Sequence, residues 1–514
     1  MKHSPVLRRP AVLGVVLLAA FAALFLLSWP TVFSFALWVL YDRGNLLNVD
    51  YLMADGMRPG IDFFYSYGLL PLAVQRAAFA LGGRGYAPML AITVIAMPPM
   101  ALIWAALFRR LPPSWPWLLA VLCVVPMLLW VNPNLPYTLV LLSMLGALAL
   151  VAAGRLPWAL AAAAVGCWSV PSLPLVLSAL LAALIIIDWW TAPGRRSGAA
   201  LLRMLLPGAL TWAGTGAALA LLFGWAPVAA TALPFAGAHF YAEKGYGWAN
   251  LHEFLSPAGA GLRWYLFTRS GWWMASTVLL FGLAAWRLAV MLRARAVDPA
   301  GAVVALLAAL HAAFVFVAPG PQAQHLIYDP LLAGGVLLGL ALLPRGAARG
   351  ALLAGYCALA LTGSAWQVRD TWRSWRDEVP RPETAGLYAT ADFAAHWRKL
   401  LDLAARRDVL MLTYATGVHH YFPAVHGPRI WVLEVGQLLP QDEARVIAQI
   451  KAAQTVATYP DSPYLARDAT MRAALGRAMC PIGSDAFLTI WQRRGPDGAC
   501  PSPIASPIAS AAPG

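Results

Sequence analysis

Apolar runs of about twenty residues recur along the first 366 residues, and short links rich in arginine separate them. A helix needs about 20 mainly apolar residues to cross the hydrocarbon layer of a membrane. The whole chain of 514 residues is 60% hydrophobic and only 12% charged, whereas about a quarter of the residues of a typical soluble domain are charged. The pattern therefore predicts a polytopic α-helical membrane protein and excludes an ordinary soluble protein.

About eleven membrane-spanning helices are predicted. The first apolar stretch runs from about residue 10 to 40 and is expected to kink or end near Trp29-Pro30. A secretory signal is the competing interpretation, but no small-residue cleavage site closes the run. Residues 64–82 are less uniformly apolar, which favours a helix lying in the membrane interface. The later spans are predicted at 87–108, 115–131, 135–153, 157–190 as two short helices, 205–224, 271–288, 300–318, 329–344 and 350–366.

The distribution of basic residues predicts the orientation of the chain. The formal net charge is +14, and much of this excess falls in short links between apolar runs, such as those holding Arg109 and Arg287. Short cytoplasmic loops carry such an excess, whereas a nucleic-acid-binding surface would need a folded basic patch. We expect a bacterial inner-membrane protein with a cytoplasmic N-terminus, a periplasmic C-terminal domain and no nucleic-acid partner.

The composition becomes polar after about residue 367, which indicates a domain boundary. Residues 367–495 are predicted to form a small α/β domain, because strand and helix patterns alternate there. Residues 496–514 are rich in Pro, Ala and Ser and are expected to be disordered. The strands are predicted at 408–414, 429–434, 455–459 and 487–492, and a helix at 441–454.

Two of the five cysteines, Cys480 and Cys500, lie in this polar region. On the oxidising side of a membrane they could form a disulfide that closes a loop of about twenty residues. The spacing alone does not decide between this bond and two free thiols. The other cysteines lie in apolar runs, and none of the five has the spacing of metal ligands.

The segment from Tyr41 to Pro71 directly follows the first apolar run and contains four aspartates. Several carboxylates in one short loop, with glycines and tyrosines between them, indicate a polar pocket. We therefore expect residues 1–366 to form the catalytic domain, with exoplasmic loops near 41–85 and 225–270. The four aspartates are Asp42, Asp50, Asp55 and Asp62.

The order of residues in this segment resembles the first exoplasmic loop of GT-C-fold glycosyltransferases that use polyprenyl-phosphate sugars, such as mannosyltransferases and aminoarabinose transferases. The resemblance covers about thirty residues. This sequence departs from the family pattern at Arg43, Gly60 and Leu69, where a second acid, Tyr and Pro are common. The matching residues are Asp42, Gly56, Arg58-Pro59, Asp62-Phe63, Tyr67-Gly68 and Pro71.

The resemblance implies that Asp42 is the catalytic base. A positioned acid or base contributes typically about 10²- to 10⁴-fold to a rate. Asp50 is the second candidate for the base or for a contact to the acceptor, and Asp62 resembles a structural or substrate-orienting aspartate of the family. Asp55 is expected on a solvated turn. A purely structural alternative for Asp42 is that it caps the helix that follows it.

A lipid phosphate that leaves during sugar transfer needs positive groups near it. Arg58, Lys244 and Arg263 lie on the predicted outer face, as does Arg269, although each could instead be an interfacial side chain that snorkels to the membrane surface. The resemblance implies that His325 and Tyr328, which precede Pro330, contact the phosphate of the lipid donor. Tyr67 is expected to contact substrate, and Trp248 to stack on a sugar.

No cofactor is assigned, although a divalent cation is possible. Imidazole and carboxylate groups in the long loop could bind such an ion, but their spacing matches no compact ligand pattern. No metal ligand is therefore assigned. The residues are His239, Glu243, His252 and Glu253.

We expect an inverting glycosyltransferase that moves a sugar from a polyprenyl-phosphate carrier to lipopolysaccharide, another envelope glycan or a protein. Two alternatives remain open. A flippase of lipid-linked precursors would need ionisable residues within spans and inverted repeats, and His311 is the main such residue. A non-catalytic envelope-assembly protein would not need the loop aspartates.

Overall fold

The computed structural model describes most of the chain, and its elements divide into two compact units. The described residues are 9–34, 37–128, 135–191, 197–233, 269–294, 297–317, 329–405, 409–412, 422, 425–431, 433, 438–458, 465, 468–484 and 488–501; the side chains of residues 37–45 and of a few other helical positions are not described. The membrane unit comprises Met1–Val32, Tyr67–Pro234 and Gly245–Trp372. The sheet unit comprises Phe33–Ser66, Phe235–Lys244 and Arg373–Gly514.

The described elements of the membrane unit are all helices. The first two are α1 Pro10–Leu27 and α2 Trp29–Val32. The next helix along the chain, α3 Leu37–Ala54, belongs to the sheet unit. The membrane unit then continues with α4 Leu70–Gly82, α5 Tyr86–Phe108, α6 Trp115–Leu128, α7 Leu135–Ala152, α8 Leu156–Gly166, α9 Ser172–Thr191, α10 Gly198–Phe223, α11 Trp225–Thr231, α12 Arg269–Ala294, α13 Pro299–Val317, α14 Asp329–Leu342 and α15 Ala347–Asp377. The end of α1 near Trp29 and the break that separates α8 from α9 confirm the sequence predictions. A helix is present at α4 as predicted, and its location in the membrane interface stays a prediction.

Among the described residues, six helices are long and apolar enough to cross a membrane: Pro10–Leu27, Ala87–Phe108, Leu135–Ala152, Ser172–Thr191, Gly198–Phe223 and Gly271–Ala294. Shorter apolar helices, among them α6, α8 and α14, pack against them. The protein is therefore a multi-pass helical membrane protein, as its composition predicts.

Close approach at small residues holds these helices together. A Cβ atom placed on Gly334 of α14 would lie 2.2 Å from the indole ring of Trp104 on α5. Trp104 is buried and stacks on Phe108, with ring centroids 5.1 Å apart. Small residues let helices pack closely in a membrane, where apolar burial alone gives little preference over lipid.

His311, the ionisable residue that the flippase alternative would use, has a partner within the unit. Its Nε2 lies 2.8 Å from Oγ1 of Thr277, and its ring centroid lies 4.8 Å from that of Trp273. A buried histidine with a hydroxyl partner is satisfied as part of the packing. His311 therefore gives the flippase alternative no specific support.

The sheet unit contains a mixed five-stranded sheet whose strands, in their order across the sheet, are β4 Val425–His426, β3 Val409–Leu412, β5 Thr455–Thr458, β7 Thr489–Arg493 and β6 Met479–Ser484. Strands β3, β4 and β5 are parallel, whereas β7 runs antiparallel to β5 and β6. A separate antiparallel pair is formed by β1 Val379–Pro380 and β2 Tyr388–Ala389. The remaining α-helices are α16 Ala391–Ala404, α17 Pro440–Ala452 and α18 Ala469–Ala478.

Helices cover both faces of the sheet, which makes this a small α/β domain as predicted. Val409 and Met411 pack with Trp397 of α16 on one face. Leu410 and Leu412 point to the other face, into a cluster with residues of α17 and α18. Because successive strand residues alternate between faces, a continuous apolar run such as β3 is buried on both.

Residues 41–54, at the start of the predicted exoplasmic loop, belong to helix α3. One sequence prediction in this unit is wrong, because no described residue of 429–434 forms a strand. The backbone carbonyls of Ile430 and Trp431 instead accept hydrogen bonds from the Asn48 side chain. Buried carbonyl groups need partners, and here a side chain replaces the neighbouring strand. The bond between Cys480 and Cys500, which the sequence left open, is present.

Candidate active site

Helix α3 carries Asp42 and Asp50 directly after the first apolar helices. Asp42 lies in its second turn, and its side chain is outside the described residues; Asp50 is half-buried near the end of the helix. A capping residue precedes the first turn of a helix, so the alternative that Asp42 caps the following helix is wrong. The helix is anchored by a buried surface formed by Leu46, Leu47, Asn48, Val49 and Leu52.

The chain reverses after α3 in a closed turn built on the glycines of the motif. Gly56 and Gly60 have φ angles of +81° and +75°, a conformation that glycine adopts without a Cβ penalty. The Met57 amide donates to the Leu52 carbonyl at 3.0 Å, and the Gly60 amide to the Phe63 carbonyl at 2.9 Å. These bonds fix the path of the segment between the helix and Phe63.

Arg58 and Asp62, two candidate substrate contacts, form an ion pair with each other. The Nε of Arg58 lies 2.9 Å from Oδ2 of Asp62, and the Arg58 amide donates to the same oxygen at 2.8 Å. These hydrogen bonds and the nearby positive charge lower the pKa of the Asp62 carboxyl below its ordinary value. A carboxylate with a lowered pKa is a weaker base, so the geometry favours a loop-holding role for Asp62.

Asn48, in the middle of α3, is completely buried and contacts a part of the chain about 380 positions away. Its Nδ2 donates to the carbonyl oxygens of Ile430 at 2.7 Å and Trp431 at 2.8 Å. The two N–H groups of one amide thus serve two consecutive carbonyls. This side chain ties the acid-bearing helix to the segment that follows β4.

Charged and polar side chains make further contacts between the motif segment and residues 429–445. Arg429 pairs with Asp55 through Nη2, which places Asp55 on a turn with a partner. The Nε2 of Gln441 donates to the Ile61 carbonyl at 2.9 Å, and Nη2 of Arg445 donates to the Asp62 carbonyl at 2.8 Å. The turn is therefore held at Asp55, where it begins, and at Ile61 and Asp62, near its end.

Asp442, in the first turn of α17, is a fully buried carboxylate that also contacts the motif segment, at Phe64. Its Oδ2 accepts from the amides of Phe64 and Leu439, each at 2.9 Å, and its Oδ1 accepts from Arg445 at 3.0 Å. Burial raises the pKa of the Asp442 carboxyl above its ordinary value, although these hydrogen bonds and Arg445 act in the opposite direction. The acidic group at this position also suits the N-terminus of a helix.

Trp431 packs between two aromatic residues of the motif segment. Its ring centroid lies 5.9 Å from that of Phe64 in a stacked arrangement and 5.1 Å from that of Tyr65 in an edge contact. Tyr65 is buried, and this burial raises the pKa of its phenol. Aromatic pairs at such distances contribute about 0.5–1.5 kcal/mol beyond their buried area.

The Tyr-Gly pair of the motif belongs to the membrane unit. The amide of Gly68 donates to the Ser169 carbonyl at 2.9 Å, and a Cβ atom at Gly68 would lie 2.1 Å from the Trp168 carbonyl oxygen. Only glycine fits so close to another backbone. The hydroxyl of Tyr67 lies 3.3 Å from that of Tyr137, which places this candidate contact beside a second tyrosine.

The remaining candidates lie outside the described residues: Lys244, Trp248, Arg263, His325 and Tyr328, together with the possible metal ligands His239, Glu243, His252 and Glu253. The side chain of Arg269 is likewise not described. Within the described ranges, no three His, Cys, Asp or Glu side chains lie together as a metal ion would need.

Sequence reasoning missed the residues that hold the motif segment. Asn48, Arg429, Asp442 and Arg445 have no shared motif, and their partners are far away in the sequence. One signal was present: Asn48 is a polar residue flanked by Leu46, Leu47 and Val49. A polar side chain at a helix position surrounded by buried residues indicates a specific partner.

These features define a class of protein: a polytopic helical membrane protein with an α/β domain that holds an acid-bearing segment. No family model matches the chain, and no curated protein matches it. Two solved structures are similar to it, both of ArnT from Cupriavidus metallidurans. The apo structure has 14% sequence identity and a TM-score of 0.46, and the structure bound to undecaprenyl phosphate has 13% and 0.40; each similarity covers 94% of this chain and 99% of the ArnT chain. At these values the similarity assigns neither a substrate nor a site residue to this chain.

Proposed function

We propose that this protein is an inverting glycosyltransferase that moves a sugar from a polyprenyl-phosphate donor to an acceptor outside the bacterial inner membrane. The observation that carries the proposal is the motif segment itself. Its glycines make a closed turn, its Arg58 and Asp62 form an ion pair, and its acid-bearing helix α3 is fixed by buried contacts. The acceptor is lipopolysaccharide, another envelope glycan or a protein.

In the proposed reaction, the carboxylate of Asp42 takes the proton of the acceptor hydroxyl. The hydroxyl oxygen then attacks the anomeric carbon of the sugar from the face opposite the phosphate. The bond from that carbon to the phosphate oxygen breaks, and its electron pair leaves with the polyprenyl phosphate. Because attack and departure occur on opposite faces, the configuration of the carbon is inverted.

Cationic and polar residues would stabilise the charge that develops on the leaving phosphate. We assign this role to Lys244, Arg263, His325 and Tyr328, and stacking on the sugar to Trp248. Arg58 donates to Asp62 through Nε and Nη2, and a guanidinium has five N–H donors. Arg58 can therefore hold the loop and still contact a phosphate. Asp50 remains the second candidate for the base.

A fixed acid-bearing segment suits catalysis better than transport. Holding a reacting group in place can remove several kcal/mol from a barrier, whereas a flippase alternates between two arrangements around its site. The motif segment is held at both ends, by Asn48 and by the Phe64 amide. These contacts at both ends support the enzyme over the flippase.

The test is an in vitro transfer assay with purified protein, a radiolabelled polyprenyl-phosphate sugar and a crude envelope acceptor. We expect Asp42→Asn to lose at least about 10²-fold in rate while still binding the lipid donor. Asp402→Asn, at an exposed acid of α16, is the matched control and should keep full activity. Equal transfer by wild type and Asp42→Asn would move the base to Asp50. Lack of transfer by wild type with all lipid donors tried would contradict the enzyme.

A further inference from the structure

We propose that the α/β domain of the sheet unit is a working part of the active site, because it positions helix α3, and that Asn48 and the Asp55–Arg429 ion pair are positioning groups. The proposal rests on the proposed function, since α3 carries Asp42. It gives residues 429–445 a role in the reaction, which neither the motif nor the sequence pattern of the domain assigns.

The first step is the geometry of Asn48. Both N–H groups of its side chain donate to consecutive backbone carbonyls, those of Ile430 and Trp431. A helix turns by about 100° per residue, so a rotation of α3 by one residue position would remove the amide from both carbonyls. Each carbonyl would then be buried without its partner, which makes such a rotation costly. Asn48 therefore fixes the rotation of α3 about its axis.

The second step is the distance from Asn48 to Asp42 along the helix. Six residues of α-helix span about 9 Å, and α3 is continuous from Leu37 to Ala54. A continuous helix transmits the position of one turn to the next. Fixing the middle of α3 thus fixes the backbone at Asp42.

The third step is that the contacts continue beyond the helix. Arg429 pairs with Asp55, Gln441 and Arg445 donate to the carbonyls of Ile61 and Asp62, and Asp442 accepts from the Phe64 amide. The partners all lie between residues 429 and 445. One segment of the α/β domain therefore contacts both the helix and the turn that follows it.

These contacts are directional, which distinguishes positioning from simple burial. Apolar contacts tolerate sliding, because the hydrophobic effect has no preferred direction. Hydrogen bonds between buried groups do not tolerate sliding, because a buried donor or acceptor that loses its partner costs free energy. A domain that only bound the acceptor would not need buried hydrogen bonds to the acid-bearing helix.

The main test is a charge exchange at the Asp55–Arg429 pair, measured in the full-length protein. Asp55→Arg and Arg429→Asp each place like charges together, and the double variant restores an opposite-charge pair with reversed polarity. We expect each single variant to lower kcat by about 3- to 5-fold, with KM for the polyprenyl-phosphate sugar unchanged. The double variant should recover to within about 2-fold of wild type. Asp402→Arg, which makes the same charge change at an exposed position of α16, should have no effect.

Asn48→Asp is the stronger variant. It replaces an amide that donates to two carbonyls with a carboxylate that repels them, and we expect kcat to fall by about 10- to 100-fold. A base that is displaced changes the chemical step more than lipid binding, so KM should again stay constant. A merely structural role would lower the amount of folded protein and leave kcat per folded molecule unchanged.

Hydrogen exchange separates failure of this proposal from failure of the proposed function. The amides of residues 46–54 should exchange faster in both single charge variants and in Asn48→Asp, and should recover in the double variant. If wild type transfers no sugar but exchange follows this pattern, the proposed function fails and the holding role stands. Unchanged exchange, or a double variant no better than its single parents in kcat, would overturn the positioning role.

Discussion

Each of the two units of this protein is stabilised internally by a different kind of contact. In the membrane unit, helices meet through apolar and small residues. For example, the Trp104 ring packs directly against Gly334. In the sheet unit, segments about 380 positions apart are joined by directed polar bonds, such as those of Asn48. Lipid is as apolar as leucine, so close packing decides how membrane helices associate. Outside lipid, buried polar groups determine which surfaces can meet, because each needs its partner.

The largest effect is expected where the polar contacts of the sheet unit are most buried. Asp442→Leu removes the acceptor for the amides of Phe64 and Leu439. The buried Phe64 amide without a partner costs about 1–3 kcal/mol and the part-buried Leu439 amide costs less, so we expect a loss of about 3 kcal/mol in the free energy of unfolding of this unit. Thermal unfolding combined with hydrogen exchange at residues 63–66 measures it.

The control for this substitution is Asp402→Leu, which removes an exposed carboxylate from α16 of the same unit. It should change stability by less than about 0.5 kcal/mol. Similar stability losses for the two variants would mean that the polar contacts are not what distinguishes the sheet unit.

In the membrane unit, adding a single methyl group should have opposite effects at two glycines. Gly334→Ala places a Cβ against the buried Trp104 ring, whereas Gly282 of α12 has no atom within 4 Å of the same position. Overpacking costs typically about 1–3 kcal/mol, and alanine in a helix is favoured over glycine by about 1 kcal/mol. We therefore expect Gly334→Ala to lose about 1–2 kcal/mol and Gly282→Ala to gain up to about 1 kcal/mol.

Thermal unfolding of both glycine variants in the same detergent or lipid gives this comparison. Two changes of the same sign would contradict it, because steric contact at Gly334 would then not control the packing of α14 on α5.

The same contrast explains what the sequence could predict. Apolar runs are local signals, so α8, α9 and the break that separates them were predictable, as was β3, whose run is buried on both faces. The path of Ile430 and Trp431 was not, because their apolar side chains resemble a strand while their carbonyls bind Asn48, far away in the sequence. A motif resemblance located the acid-bearing segment, but no local pattern could indicate that residues 429–445 hold it.

The smallest predicted effect is on the pH dependence of stability in the sheet unit. Two acids of this unit, Asp442 and Asp62, have pKa shifts in opposite directions. Burial raises the pKa of Asp442, whereas Arg58 lowers that of Asp62. A lowered pKa in the folded state contributes stability that is fully present above the unfolded value near 3.8 and is lost as pH falls through the folded pKa. The raised pKa of Asp442 has the opposite effect: its contribution to the free energy of unfolding decreases as pH rises above the pKa of the carboxyl in the unfolded chain.

Asp62→Asn should therefore destabilise the protein near pH 7 by about 0.5 kcal/mol, since ion pairs with exposed partners contribute about 0–1 kcal/mol. The difference in melting temperature from wild type should shrink as pH falls below about 4 and vanish once the wild-type carboxyl is protonated. Melting curves of wild type, Asp62→Asn and Asp402→Asn between pH 7 and pH 3 measure this. A difference that grows toward low pH would mean that Asp62 is held in its protonated form, and that the Arg58–Asp62 ion pair does not hold the turn.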